Sequence, residues 1–427
     1  MSKDKNNAVV PKLRFPEFRE AGDWEEKTLG NVCESFSGGT PSTLQKEFYG
    51  GDIPFIRSAE IDKEITELFL THKGLNSSSA KLINKGDVLI ALYGANSGDV
   101  ALAKINGAIN QAILCLKSDF SNAFIYQYLS LKKNNIVATY IQGGQGNLSG
   151  EIVKSIKLFF PQQKEQQKIA SCLSSLDDLI TAQTQKLETL KTHKKGLMQQ
   201  LFPAEGETVP KLRFPEFRDK GEWNTELFEE LYSFKATNSF SRENLNYDSG
   251  SIKNIHYGDI HTKFSTLLDL KEETVPFIDN SLSIENIRYE CYCKEGDMIF
   301  ADASEDLEGT GKSIEVVNLC NEKLLSGMHT LLARQKKNKI IIGFGGYLFS
   351  SNGIRFQIQH IAQGTKVLGI SSGRLSKIKI YYPPTINEQQ KIASCLSSLD
   401  DLIATQTQKI EMLKTHKKGL MQQLFPM

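Results

Sequence analysis

The 427-residue chain carries 51 Lys or Arg against 50 Asp or Glu, and a net charge of +1 excludes an overall electrostatic pull on a polyanion. No apolar run reaches membrane length, and the N-terminus MSKDKNNAVVPKL lacks the apolar segment of a signal peptide, so a cytoplasmic protein with no membrane partner and two or three domains is expected. Seven cysteines, odd in number and without paired spacing, argue against a disulfide framework.

In chain order, residues 1–24 read as an N-terminal arm whose stretch VPKLRFPEFRE, Val10 to Glu20, returns as VPKLRFPEFRD, Val209 to Asp219. Gly22 and Trp24 return as Gly221 and Trp223 at the same offset of 199. Residues 25–164 then read as a mixed α/β domain round a curved sheet. Its signals are the turn Gly38-Gly39-Thr40-Pro41, strands at Asp87–Leu92 and Ala112–Leu116, a short helix at Phe124–Asn134 and a strand at Ser155–Phe160.

Residues 165–203, EQQKIASCLSSLDDLITAQTQKLETLKTHKKGLMQQLFP, recur at 388–426 with changes only at Thr181/Ala404, Ala182/Thr405, Leu187/Ile410 and Thr189/Met412. Apolar residues at Ile169, Leu173, Leu176, Ile180, Leu187 and Leu190 step by four and three, as do Ile392, Leu396, Leu399, Ile403, Ile410 and Leu413. That is a heptad seam, and polar residues within it, Gln183 and Lys194 with Gln406 and Lys417, would fix register. A helix from Ile169 to Leu201 would run about 50 Å. So narrow a stripe suits packing of the two helices on each other, the alternative being that each packs on its own domain or on another protein.

Residues 204–223 form a linker and the repeated arm, 224–387 a second domain, and 388–427 the C-terminal helix. The helix copies lie 223 apart, so the second interior is 24 residues longer than the first. It echoes the first at Lys377–Pro383, at Gly296–Phe300 against Gly86–Ile90, and at Tyr347–Ser351 with the loop Gln363-Gly364-Thr365. Divergence is greatest in the loops, where recognition tends to sit.

Familiar catalytic chemistry fails residue by residue. Glu308-Gly309-Thr310-Gly311-Lys312-Ser313 resembles the tail of a P-loop, yet the required Gly is Asp306. Gly343-Phe344-Gly345-Gly346 has no acidic partner downstream before Glu388 and reads as a loop or close sheet packing. Pro383-Pro384 lacks the flanks of an adenine-methyltransferase motif, and Cys291 and Cys293 with His256 and His261 are a weak zinc signal. No catalytic or metal residue is assigned.

Charge is segregated, however. Lys323 to Asn387 holds ten basic and no acidic residues, Val100 to Lys164 seven against two, and Asn224 to Glu322 eight against twenty. Such patches fit phosphate binding, a solvated face or an acidic docking partner.

A helix opening Pro-x(3)-Glu-Gln-Gln-Lys-Ile-Ala with Leu-Asp-Asp-Leu-Ile, duplicated around two unlike domains, resembles the specificity (S) subunit of type I restriction-modification enzymes. Gly38–Pro41, Tyr49 and Gly51–Ile56 look like the start of that family's target-recognition domains; the second interior lacks this opening. The resemblance implies two mixed α/β (α+β) target-recognition domains separated by two long antiparallel coiled-coil helices with pseudo-two-fold symmetry. It further implies a non-catalytic chain in host defence that reads a bipartite asymmetric site on double-stranded DNA and docks two methyltransferase (M) subunits and the restriction/translocase (R) subunits. S-adenosylmethionine, ATP and magnesium would sit on those partners, with no cofactor on this chain. A coiled-coil adaptor that does not bind DNA is the alternative.

For DNA contacts the polar loops offer Tyr93, Asn96, Ser97, Asn110, Gln111, Gln142, Gln145 and Asn147 in the first domain, with Arg57 placed for guanine. The second offers His256, Tyr257, Ser304, His329, Gln363, Thr365, Lys366 and Arg374. For any one of these, a turn-forming or core hydrogen-bonding role is the commoner use. The first arm is expected to pack near the end of the second helix, at Leu424 to Pro426.

Overall fold

The computed structural model describes residues 9–118, 121–140, 147–284 and 287–426. It forms two compact units, one of Met1–Gln185 with Thr407–Met427 and one of Lys186–Gln406. The division crosses both long helices, Gln163–Leu201 and Ile386–Leu424, so each unit holds the first part of one and the last part of the other. Neither helix meets a proline inside, and Glu165 and Glu388 occupy the first turns, where a carboxylate suits the helix dipole.

Within the first unit, Ile169 and Leu173 share a core with Met421, Leu424 and Phe425. Further along, Lys417 Nζ donates to Asp177 Oδ1 at 2.6 Å, so the two helix segments run antiparallel. The second unit repeats the arrangement: Ile392 and Leu396 bury with Leu201 and Phe202, and Lys194 reaches Asp400. The two seam lysines thus have carboxylate partners on the facing segment, the register device expected of a polar seam residue. Burial along the seam is uneven. Ile169, Leu173, Leu187, Ile392, Leu396 and Ile410 are buried, whereas Leu176, Ile180, Leu190, Leu399, Ile403 and Leu413 are half-buried.

Each arm clamps onto a helix start. Arg14 pairs bidentately with Glu165, with both distances 2.7 Å, and Arg213 pairs with Glu388 at 2.7 and 2.8 Å. Leu13 N donates to Gln423 O at 2.9 Å, which sets the first arm on the end of the second helix as expected; Leu212 N donates to Gln200 O at 2.8 Å in the second unit. Trp24 then enters an aromatic core with Phe124, Tyr128, Phe160 and Phe425, where Tyr128 stacks on Phe425 at 4.5 Å. Full burial of each such side chain contributes about 1.5–3 kcal/mol.

Both domains are mixed α/β. A two-stranded pair, Glu25–Thr28 with Lys157–Phe160 or Asn224–Leu227 with Lys379–Tyr382, ties the domain's ends together. In the first unit an antiparallel sheet runs Cys33–Ser37, Ile113–Ser118, Val88–Ala91, Val100–Leu102. A second sheet runs Leu68–Leu70, Tyr49–Ile56, Gly107–Ile109, Lys81–Ile83, with Tyr49–Ile56 parallel to Gly107–Ile109. The second unit has the same frame: Tyr232–Lys235, Thr330–Gln335, Met298–Ala301 and Ser313–Asn318, extended by Leu267–Asp269, beside a sheet in which Lys253–Ile255 runs parallel to Leu324–Ser326.

The expected short helix at Phe124–Asn134 is Asn122–Tyr140, answered in the second unit by Gly345–Ser350 and Asn352–Ile361. The strand expected over Ser155–Phe160 is shorter. Ser149 accepts from Ile152 N and starts a helix, Gly150–Ser155, so the strand begins only at Lys157. The glycine loop at 343–346 does have an acid, upstream rather than downstream. Glu315 accepts from Gly343 N at 3.0 Å and Gly346 N at 2.7 Å.

Candidate functional site

In the first unit, the parallel register Ile56↔Ile109 brings two strand ends to one edge, so Arg57 and Asn110 emerge side by side. The Gly38-Gly39-Thr40-Pro41 opening holds that edge. A Cβ on Gly38 would stand 1.8 Å from Ile109 O, and one on Gly39 2.0 Å from Ser79 Oγ, so only glycine permits this approach. Thr40 Oγ1 donates to Gln111 Oε1 at 2.7 Å, and Tyr49 OH to Pro41 O at 2.7 Å.

The loop after strand Val88–Ala91 lies against the same edge: Leu92 N donates to Ala112 O and Leu148 N to Leu92 O, both at 2.8 Å. Tyr93, Asn96, Asn110, Gln111 and Asn147 therefore share one polar rim. Ser97 is spent locally, donating to Leu92 O at 2.9 Å. Gln142 and Gln145 lie outside the described residues. Arg57 differs from the free guanine reader that the sequence suggests. Its Nε and Nη2 are held by Glu60 at 3.0 Å and Nη2 also by Glu67 at 2.6 Å, and these bonds raise its pKa, so a bidentate base contact that uses Nη2 would have to displace a carboxylate.

The second unit places His256 where the first has Arg57, directly after the strand that runs parallel to its neighbour. His256 Nδ1 accepts from Gly258 N at 3.1 Å and caps helix Tyr257–Thr262. Burial, and then the nearby Arg242, lower its pKa and keep it in that acceptor form. The Tyr257 ring lies beside it, tilted by 35° with centroids 4.7 Å apart, and meets His329 edge-on at 5.3 Å. His329 sits in the left-handed region, φ 56°, with Nδ1 3.2 Å from Asp302.

Tyr257, Ser304 and His329 line a single cavity of about 1050 Å3, together with His261, Lys312 and Arg355. Ala303–Ser304 pairs with Leu368–Gly369, which sets the exposed loop of Gln363, Thr365 and Lys366 next to that wall. Arg374 stands apart in role, because its Nη1 donates to Ile361 O at the end of a helix. A smaller cleft of about 350 Å3 in the first unit is lined at the corresponding place by Ser58, Asn96, Asp99 and Lys133. The two domains thus share one frame and present different side chains from the same edge.

Sequence reasoning missed Lys312 and Arg355. The first was set aside with the failed P-loop, and the second lies on a helix that carries no motif.

A family model described as the type I restriction modification DNA specificity domain matches residues 21–192 and 229–415, each segment holding one domain and most of the helix after it. The chain belongs to this type I restriction-modification specificity family. The MjaVIII specificity subunit of Methanocaldococcus jannaschii is 24% identical over 431 residues, 98% of this chain and 95% of that protein. The EcoR124I/EcoR124II specificity subunit of Escherichia coli is 28% identical over 181 residues, 40% of this chain and 45% of that one. In fold, the S subunit from M. genitalium gives a TM-score of 0.60 at 15% identity, covering 98% of this chain and 100% of that chain. No helix among the described residues is long and apolar enough to cross a membrane.

Proposed function

We propose that this specificity-family chain is the non-catalytic DNA-reading subunit of a type I restriction-modification complex. Each target-recognition domain reads one half of a bipartite, asymmetric duplex site through its polar rim. The paired helices set the distance between half-sites and dock two methyltransferase subunits. Those subunits methylate adenine with S-adenosylmethionine, and restriction/translocase subunits use ATP and magnesium; this chain holds none of these cofactors.

The observation that carries the reading is the shared frame with unlike edges: one topology, clamped to one repeated helix, has exposed or half-buried Tyr93, Asn110, Gln111 and Asn147 at its edge in one case and His256, Tyr257, Ser304 and His329 in the other. Amides and hydroxyls on such loops match base edges and phosphate oxygens. The decisive experiment is base-resolution methylation mapping in a host carrying the chain and its partners, repeated with residues 25–164 exchanged for another family member's domain. One half-site should change and the other persist. A change in both or in neither contradicts the modular reading.

A further inference from the structure

The cavity of the second unit opens between helix Tyr257–Thr262, the loop leading to strand Ser313–Asn318 and the start of helix Asn352–Ile361. Two of its lining groups are cations, and neither forms an ion pair among the described residues. Lys312 Nζ donates to His261 O at 2.9 Å and Arg355 Nη2 to Glu308 O at 2.7 Å. Arg355 Nη1 and the Ser313 hydroxyl are buried with no hydrogen-bond partner among the described residues.

Burial lowers the pKa of both cations, and Arg355 lowers that of Lys312 further. Holding two desolvated like charges together without a counter-ion opposes folding. The corresponding cleft of the first unit shows the ordinary solution, with Lys133 paired to Asp99. The nearby acids form no ion pair with either cation: Glu305, Asp306 and Glu308 are exposed, Asp306 caps its own loop through Gly309 N, and Glu308 bonds Arg355 through its carbonyl, its carboxylate acting on the guanidinium only through space and too weakly to offset burial. A P-loop is excluded, since Glu308–Ser313 joins strand to strand and Asp306 replaces the required glycine.

We infer that this cavity binds a phosphate group, with Lys312 and Arg355 as its charge partners and Ser313 as a hydrogen-bond donor. The inference rests on the DNA-reading function and assigns the phosphate to the duplex backbone beside the second half-site; a free phosphate compound shares the same chemistry.

The test uses the full chain with its methyltransferase partners and measures duplex affinity against salt for wild type, Lys312→Met and Arg355→Met. A backbone contact predicts that each variant loses about one unit of salt slope, weakens all sequences alike and leaves the methylated sequence unchanged. Removal of an uncompensated cation also predicts a thermal midpoint for free Lys312→Met at or above that of wild type. An unchanged slope together with no Lys312-dependent rise in midpoint on adding inorganic phosphate, or a lowered midpoint for Lys312→Met, overturns the inference. If inorganic phosphate raises the wild-type midpoint but not that of Lys312→Met, and the slopes agree, the backbone assignment is overturned in favour of a free phosphate compound. A wild-type complex without sequence-selective binding overturns the proposed function itself.

Discussion

Glu315 lies in the core of the second unit, where burial pushes its carboxyl up to about 7 against the opposing pull of two backbone N–H groups. Unfolded, it titrates near 4.5. Between those values the folded chain keeps a proton that the unfolded chain has released, so stability falls as pH rises, by about 3 kcal/mol across the window. Urea midpoints from pH 4.5 to 7.5 should show that decline in wild type and a flatter profile in Glu315→Gln; parallel profiles would contradict it. Gly38→Ala tests a second residue. Its Cβ would lie 1.8 Å from a backbone carbonyl, so a loss of about 1–3 kcal/mol is expected, with misreading confined to the first half-site. Thermal unfolding and methylation mapping check the two parts. At this scale the sequence was only partly legible. Polar loop residues could be named from type and position, and Tyr257, Ser304 and His329 do converge, whereas the carboxylates that occupy Arg57, Glu60 three residues along and Glu67 ten along, were near in sequence but pair with it only through the turn that the chain makes there.

The long helices were legible because a heptad seam is a local pattern, written in spacing and uninterrupted by proline. The two arm clasps were not. Arg14 and Glu165 lie 151 residues apart and Arg213 and Glu388 lie 175 apart, and each motif alone reads as a charged surface stretch. The one available hint was that both motifs are repeated at different offsets, which suggests that each is kept for the other. Arg213 is 6% and Glu388 0% exposed, so removing one partner strands a buried charge. Arg213→Ala should cost about 3–5 kcal/mol, whereas the double change Arg213→Met with Glu388→Leu should recover most of it. Chemical denaturation of the full chain distinguishes these; additive losses would show that the pair is not coupled. The helix Gly150–Ser155 escaped notice for a different reason: it is one short turn set by a Ser149 cap, and the alternation of the following strand masked it.

At the scale of the whole molecule, repetition carries the account. A constant arm, a variable domain and a constant helix occur twice, and family matches fall on both halves. In the proposed function, selection of DNA sequence is thereby separated from the parts that hold the readers. The geometry of the candidate contact loops depends on long-range strand pairing, which composition does not carry. The gap between half-sites does follow from a physical length, if helix pairing sets it. Seven residues inserted in both copies, after Gln183 and after Gln406, keep the heptad phase and add about 10 Å. Methylation mapping of that variant, beside wild type, is the most direct test. The account predicts two unchanged half-sites with the unread gap widened by about three base pairs at 3.4 Å each. A stable, active variant whose gap stays at the wild-type length, or whose half-sites change, would contradict it.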